Sequence, residues 1–150
     1  MYQRILVPVD GSHTAERGLR EAVALARLCR ASVVLLHVIE VYPVMMEMAS
    51  ATTWEQVTTD LRAQGERLLD QARQRVIAEG VACEAHLEDA AAARVCDVIV
   101  DQARAQRCDL IVMGTHGRRG VRHALIGSDA ERVLRMAPVP VLLLRSGEKA

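Results

Sequence analysis

Apolar and polar positions change rhythm several times along this chain. Residues 4–9, "RILVPV", are a short apolar run rich in β-branched side chains, closed by Asp10, Gly11 and Ser12. Residues 32–39, "SVVLLHVI", are a second near-continuous run. Runs of this kind predict strands covered on both faces of a parallel sheet. Between them Ala15, Leu19, Ala22, Ala26 and Cys29 recur at helical spacing. Residues 40–53, "EVYPVMMEMASATT", carry no period and contain Pro43. From Trp54 a long helical stripe runs through Val57, Leu61, Leu68, Ala72 and Val76 and stops at Gly80. "VACEAHL" at 81–87 alternates, as on an edge strand with one barer face. Residues 91–106 read as a third helix, with Val95, Val98, Ile99 and Ala103 on one side. "DLIVM" is a fourth strand, Ser128 to about Met136 a fourth helix, and "VPVLLL" at 139–144 a fifth strand.

Strands alternating with helices predict an α/β fold with a parallel sheet. Right-handed crossovers reduce the topologies to a few doubly wound orders with helices on both faces. No linker or internal repeat interrupts the pattern, so one domain is expected over 1–150. The 150 residues are 51% hydrophobic, and a chain of this size buries roughly 70% of its unfolded surface without staples.

Composition narrows the function. Lys plus Arg and Asp plus Glu both number 19, giving a net charge of zero, so a broad electrostatic footprint for nucleic acid is not expected. Aromatic residues are 2% with no Phe, which disfavours base-stacking platforms. Cys29, Cys83, Cys96 and Cys108 form no C-x-x-C pair and read as small buried hydrophobes with reduced thiols. Pro8 and Asp10 interrupt the N-terminal run too early for a signal segment. The apolar runs fall short of the roughly 18 residues of a membrane span. A cytoplasmic protein with no membrane insertion is the expectation.

The chemistry concentrates in "GTHGRRGVRHALIGS", residues 114–128, between the fourth strand and the fourth helix. Ligands of open α/β sheets bind at such strand ends. Glycine lets a ligand approach the backbone, successive N–H groups can form an anion nest, and a helix N-terminus favours negative charge. Other readings stand beside this one. Gly114 and Gly117 can shape a turn, and Arg118, Arg119 and Arg122 can be a solvated face. Ser128 with Glu131 fits an S-x-x-E capping box that needs no ligand. His116 and His123 suit phosphate contact or exposure better than a metal pair, and His37 and His86 suit strand positions. Asp10 before Gly11 is a turn-forming pair. Neither a Walker loop nor a G-x-G-x-x-G fingerprint occurs.

The spacing Gly114-x2-Gly117-x9-Gly127-Ser128 resembles the ATP-binding signature of the universal stress protein family. "RILVPVDGS", "LLHV", "CDLIVMGTHGRRG" and "GSDAERVLRMAPVPVLLLR" are similar to that family's strands and close, so the likeness spans the chain. It implies a five-stranded parallel sheet in the order 3-2-1-4-5, Rossmann-like. It also implies ATP as ligand, with Mg2+ or Mn2+ as the ion that can accompany it. By resemblance Asp10 reaches the ribose or a metal-bound phosphate, Pro8, Val38 and Met113 line the adenine, and Gly114 sits near the ribose. Gly117, Gly127 and Ser128 hold the phosphates, with Arg118 beside them. Two positions depart from the pattern. Asp129 stands where relatives carry an uncharged residue, and "EDAAAA" at 88–93 lacks a glycine after the third strand.

The leading function is an ATP-binding regulatory protein of the stress response, with an adenine nucleotide and an unnamed regulatory protein as partners. The alternatives are a slow ATPase or phosphotransfer enzyme on the same site and a nucleotide-free adaptor of the same family. A base beyond Asp10 is not apparent, so turnover is expected to be slow at most. A flavodoxin-like carrier wants aromatics around its ring, and only Tyr2, Tyr42 and Trp54 exist. A phospho-receiver wants a Lys near the fifth strand, where Arg145 stands. Residues 41–53, with Met45, Met46 and Met48, suggest a mobile flap beside the nucleotide. The uncharged fifth strand, an edge in the expected order, suggests a homodimer joined through it.

Overall fold

The computed structural model describes residues 1–41, 50–90, 93–116 and 126–145. Its strands are β1 (Arg4–Pro8), β2 (Ser32–Ile39), β3 (Cys83–Asp89), β4 (Leu110–Gly114) and β5 (Val141–Leu144). They form one parallel, doubly wound sheet, as the pattern predicts, in the order β3-β2-β1-β4-β5 that the family resemblance implies. The connecting helices are α1 (His13–Cys29), α2 (Ala51–Ala78), α3 (Val95–Ala105) and α4 (Ser128–Met136).

The order reverses once. From β1 to β3 the chain moves toward one edge, and from β4 to β5 toward the other. Crossovers of one hand therefore put α1 and α2 on one face and α3 and α4 on the opposite face. Two apolar layers record this. Ile5, Val7, Val33, Leu35 and Val112 pack with Leu19, Ala22 and Ala26 of α1 and Leu69, Ala72 and Val76 of α2. Leu6, Val34, Leu36 and Ile111 pack with Ile99 and Val100 of α3 and Val133 of α4. Consecutive strand residues serve opposite layers, which is why the runs in β1, β2 and β4 are almost unbroken.

Several boundaries differ from the periodicity. α2 starts at Ala51, not Trp54, because Ser50 caps it and accepts a hydrogen bond from Thr53 N at 3.3 Å. A capping serine precedes the apolar stripe and leaves no trace in it. Twenty-eight residues make a helix of about 42 Å, longer than the sheet beside it. Its buried residues begin only at Gly65. Arg62 pairs with Asp89 at the end of β3 at 2.8 Å, so the turns before it run on past that end of the sheet. α3 starts at Val95 rather than near 91. β5 starts at Val141, after Pro140, which offers no N–H but whose carbonyl accepts from Ile111 N at 3.0 Å. β3 is the barer edge that its alternation predicts, with several half-exposed or exposed side chains.

All four cysteines are free thiols; Cys96 and Cys108 are buried as expected, whereas Cys29 and Cys83 are only half-buried. Burial pushes the Cys83 and Cys108 thiols up to about 11 and raises that of Cys96 as well. At pH 8 a thiol titrating near 11 is thiolate in roughly one molecule in a thousand, and only the thiolate is nucleophilic. Cys83 and Cys108 should therefore resist iodoacetamide in the folded protein at pH 8 and react on addition of urea, as read by intact-mass spectrometry. Rapid alkylation of both without denaturant would contradict this burial.

Candidate functional site at the reversal of strand order

β1 and β4 lie side by side where the order reverses, and their chains leave toward opposite faces. A crevice is the necessary result. It is a cavity of about 560 Å³ at the carboxyl ends of β1, β2 and β4, walled by the first turns of α3 and α4.

Strand parity decides its floor. Leu6, Leu36 and Ile111 belong to the layer beneath α3 and α4. Two residues further along each strand stand Pro8, Val38 and Met113, which line the cavity with Val95 and Ile99 of α3 and Ala130 of α4. The three positions named for an adenine pocket are thus neighbours on one apolar floor. Asp10 follows at the rim. Its Oδ1 accepts a hydrogen bond from Ser12 N at 2.9 Å, and Gly11 takes the left-handed conformation at φ +79°. Asp10 therefore shapes the turn and lines the cavity at once, and the two readings of it are compatible. Ser12 then caps α1, accepting from Ala15 N at 3.2 Å. His37 is a core residue, as a strand position suggests. Its Nδ1 lies 2.7 Å from the carbonyl oxygen of Val9, just past the end of β1. Gly65 of α2 leaves room for the ring, since a Cβ there would stand 2.8 Å from Cδ2.

The opposite rim begins at Gly114. Beyond it Thr115 N donates to Leu144 O at 2.8 Å, and Thr115 O accepts from Gly127 N at 2.7 Å. The second contact ties the two ends of the glycine-rich loop together at its neck. Gly117, Arg118, Arg119, Arg122 and His123 lie outside the described residues, as do Met45, Met46 and Met48. The hydroxyl of Thr14, on the first turn of α1, donates to the carbonyl oxygen of His116. The Thr115 hydroxyl lies 3.1 Å from His116 Nδ1, while His116 Nε2 is buried without a hydrogen-bond partner among the described residues.

Two glycines of the motif have packing reasons of their own. A Cβ on Gly114 would come within 2.7 Å of Thr14 Cβ and 3.0 Å of the Thr14 carbonyl carbon. One on Gly127 would lie 3.0 Å from Thr115 O. The capping-box reading of Ser128 and Glu131 is corrected. Gly127 is the N-cap of α4 (φ −70°, ψ 156°), Ser128 is the first helical residue, and among the described residues no side chain caps the helix. Glu131 instead pairs with Arg135 at 3.0 Å. Ser128 and Asp129 sit exposed at the mouth of the cavity.

The charge of the described wall is negative. Asp10, Glu40 and Asp129 line it, and no Lys or Arg stands among the described lining residues. Among the described residues no group of three His, Cys, Asp or Glu could hold a metal ion. A polyanion here needs positive charge from the loop arginines or from an ion that arrives with it.

A crevice at the switch point of a doubly wound parallel sheet defines the class to which this protein belongs. Comparison with known proteins makes it specific: the chain belongs to the universal stress protein family, whose model matches residues 1–145. It is similar to the universal stress protein MJ0531 of Methanocaldococcus jannaschii, with 30% identity over 149 residues covering 99% of this chain and 85% of the relative. The solved structure of MJ0577, a universal stress protein of the same organism, superposes with a TM-score of 0.87 at 26% identity, covering 99% of both chains. The universal stress protein of Archaeoglobus fulgidus solved in complex with dAMP gives a TM-score of 0.66 at 28% identity, covering 95% of this chain and 98% of that one.

Gly114→Ala tests the packing of the rim. Its methyl group meets buried Thr14 and helix backbone rather than a flexible tip, so a destabilisation of about 1–3 kcal/mol is expected, read by urea unfolding. Wild-type stability in that variant would contradict the close approach of α1 to the end of β4.

Proposed function

We infer that this protein binds an adenine nucleotide in the cavity at the end of β1 and β4 and acts as a nucleotide-dependent regulatory protein of the stress response in the cytoplasm. The observation that carries the reading is the coincidence of two features. An apolar floor of Pro8, Val38 and Met113 suits a purine, and the floor is flanked by Asp10 on one rim and by Gly127 and Ser128 at a helix N-terminus on the other. Its volume of about 560 Å³ falls within the usual range for small-molecule sites. The dAMP complex of the Archaeoglobus fulgidus relative supports the same class of ligand.

In this reading the adenine lies on the floor and the ribose turns toward Gly114 and Asp10. The phosphates meet Gly117, Arg118, Gly127 and Ser128. ATP is the nucleotide the glycine signature suits. The carboxylates of Asp10 and Asp129 repel bare phosphate, so a divalent ion such as Mg2+ or Mn2+ carried in with the nucleotide would be held by those two side chains and would supply the charge that offsets the phosphates. The chain's own residues bind and orient the nucleotide. Hydrolysis is slow in this reading, because Asp10, the candidate base at the rim, is engaged in the turn.

A homodimer joined through β5 belongs to the same proposal. β5 is an edge strand. Val141 and Leu143 pack toward one layer and Leu142 and Leu144 toward the other, yet all four stay half-buried. The second strand of a pair would cover them.

Calorimetric titration with Mg-ATP should show saturable binding, and Gly117→Val should abolish it with the fold retained. The absence of heat and of thermal shift at millimolar nucleotide would refute the reading. Turnover above about 1 s⁻¹, the low end for typical enzymes, would favour the enzyme alternative. Light scattering should return twice the chain mass of 16.5 kDa, and a monomer at high micromolar concentration would remove the β5 pairing.

A further inference from the structure

One hydroxyl joins the two rims of the cavity. Thr14 is buried, with 6% of its surface exposed, on the first turn of α1. Its Oγ1 stands 3.2 Å from Oγ of Ser12, the residue that caps the helix and whose amide holds Asp10. The same hydroxyl donates to the carbonyl oxygen of His116, where the chain leaves β4 for the glycine loop. Gly114 permits this contact, because any side chain there would collide with Thr14.

The reason for such a contact lies in the topology. Within the sheet a parallel strand satisfies its carbonyls through its neighbours. At the reversal the chains leaving β1 and β4 diverge, and carbonyls just past their ends lose that ladder. Buried carbonyls without partners are costly, so side chains take them. His37 takes Val9 O on the β1 side, and Thr14 takes His116 O on the β4 side. The second contact crosses the crevice. It sets where the loop begins relative to the Asp10 turn, and the neck contact from Gly127 N to Thr115 O carries that setting to the start of α4.

We propose that Thr14 is a positioning residue for nucleotide binding: its hydroxyl fixes the first residue of the glycine loop against the Asp10–Ser12 turn, so that both rims meet one ligand. This rests on the nucleotide reading above. Thr14 itself need not touch the ligand. Removal of the hydroxyl leaves the His116 carbonyl without its donor and lets the loop base shift away from α1. Thr14→Val keeps the shape and removes the donor, whereas Thr14→Ser keeps the donor.

The test is titration calorimetry with Mg-ATP on the wild type, Thr14→Val and Thr14→Ser, each verified as folded by circular dichroism and held well below its Tm. Thr14→Val should weaken binding about tenfold, the effect of one lost hydrogen bond in a preorganised site, and Thr14→Ser should restore it to within about threefold. If Thr14→Val fails to fold, Thr14→Ala, which keeps the Cβ beside Gly114, takes its place with the same expectation. Wild-type binding with undiminished affinity in the Val or Ala variant, whatever its Tm, overturns the positioning role alone. Equal loss in Thr14→Ser and Thr14→Val overturns it too, because the hydroxyl would then not be the operative group. No binding by the wild type overturns the nucleotide reading and this role with it.

Discussion

The close approach of α1 to the end of β4 is the constraint on which the site depends. Thr14 and Gly114 meet at a distance that excludes a side chain at 114. The helix that leaves β1 is thereby held over the strand next to it, not only over its own. Because β1 and β4 send their chains to opposite faces, the same contact leaves the α3–α4 side of that junction open. The cavity is what remains between a helix pressed onto one face and two helix starts on the other.

That geometry gives the motif glycines a double meaning. Gly114 is explained by its packing against Thr14 and Gly127 by its closeness to the Thr115 carbonyl, and a ligand is not needed to explain either. What points to a ligand is their surroundings. An apolar floor built by strand parity, an Asp that ends a turn at the rim, and an α4 start free of a side-chain cap converge on one volume. The described wall carries carboxylates rather than cations.

Much of this was legible in the sequence. The unbroken runs of β1, β2 and β4 and the alternation of β3 gave the sheet and its barer edge, because burial on two faces and on one face write different patterns. The order β3-β2-β1-β4-β5 came with the family likeness and not from periodicity, which is blind to which strands adjoin. Capping was misread twice for one reason. Ser50 starts α2 ahead of its apolar stripe, and Ser128 sits one position inside α4, so a single polar residue shifts the boundary without altering the stripe. Thr14 escapes the sequence reading because it acts on a carbonyl distant in sequence, that of His116. A buried polar residue on a stripe otherwise apolar was the available signal.

Methyl-resolved NMR with Mg-ATP tests the central claim most directly. If the crevice is the nucleotide site, the methyl signals of Val38, Met113 and Ile99 should shift saturably. Those of Leu69 and Val76, on α2 at the opposite face, should stay in place. Shifts confined to the α1–α2 face, or none at saturating nucleotide, would contradict the account.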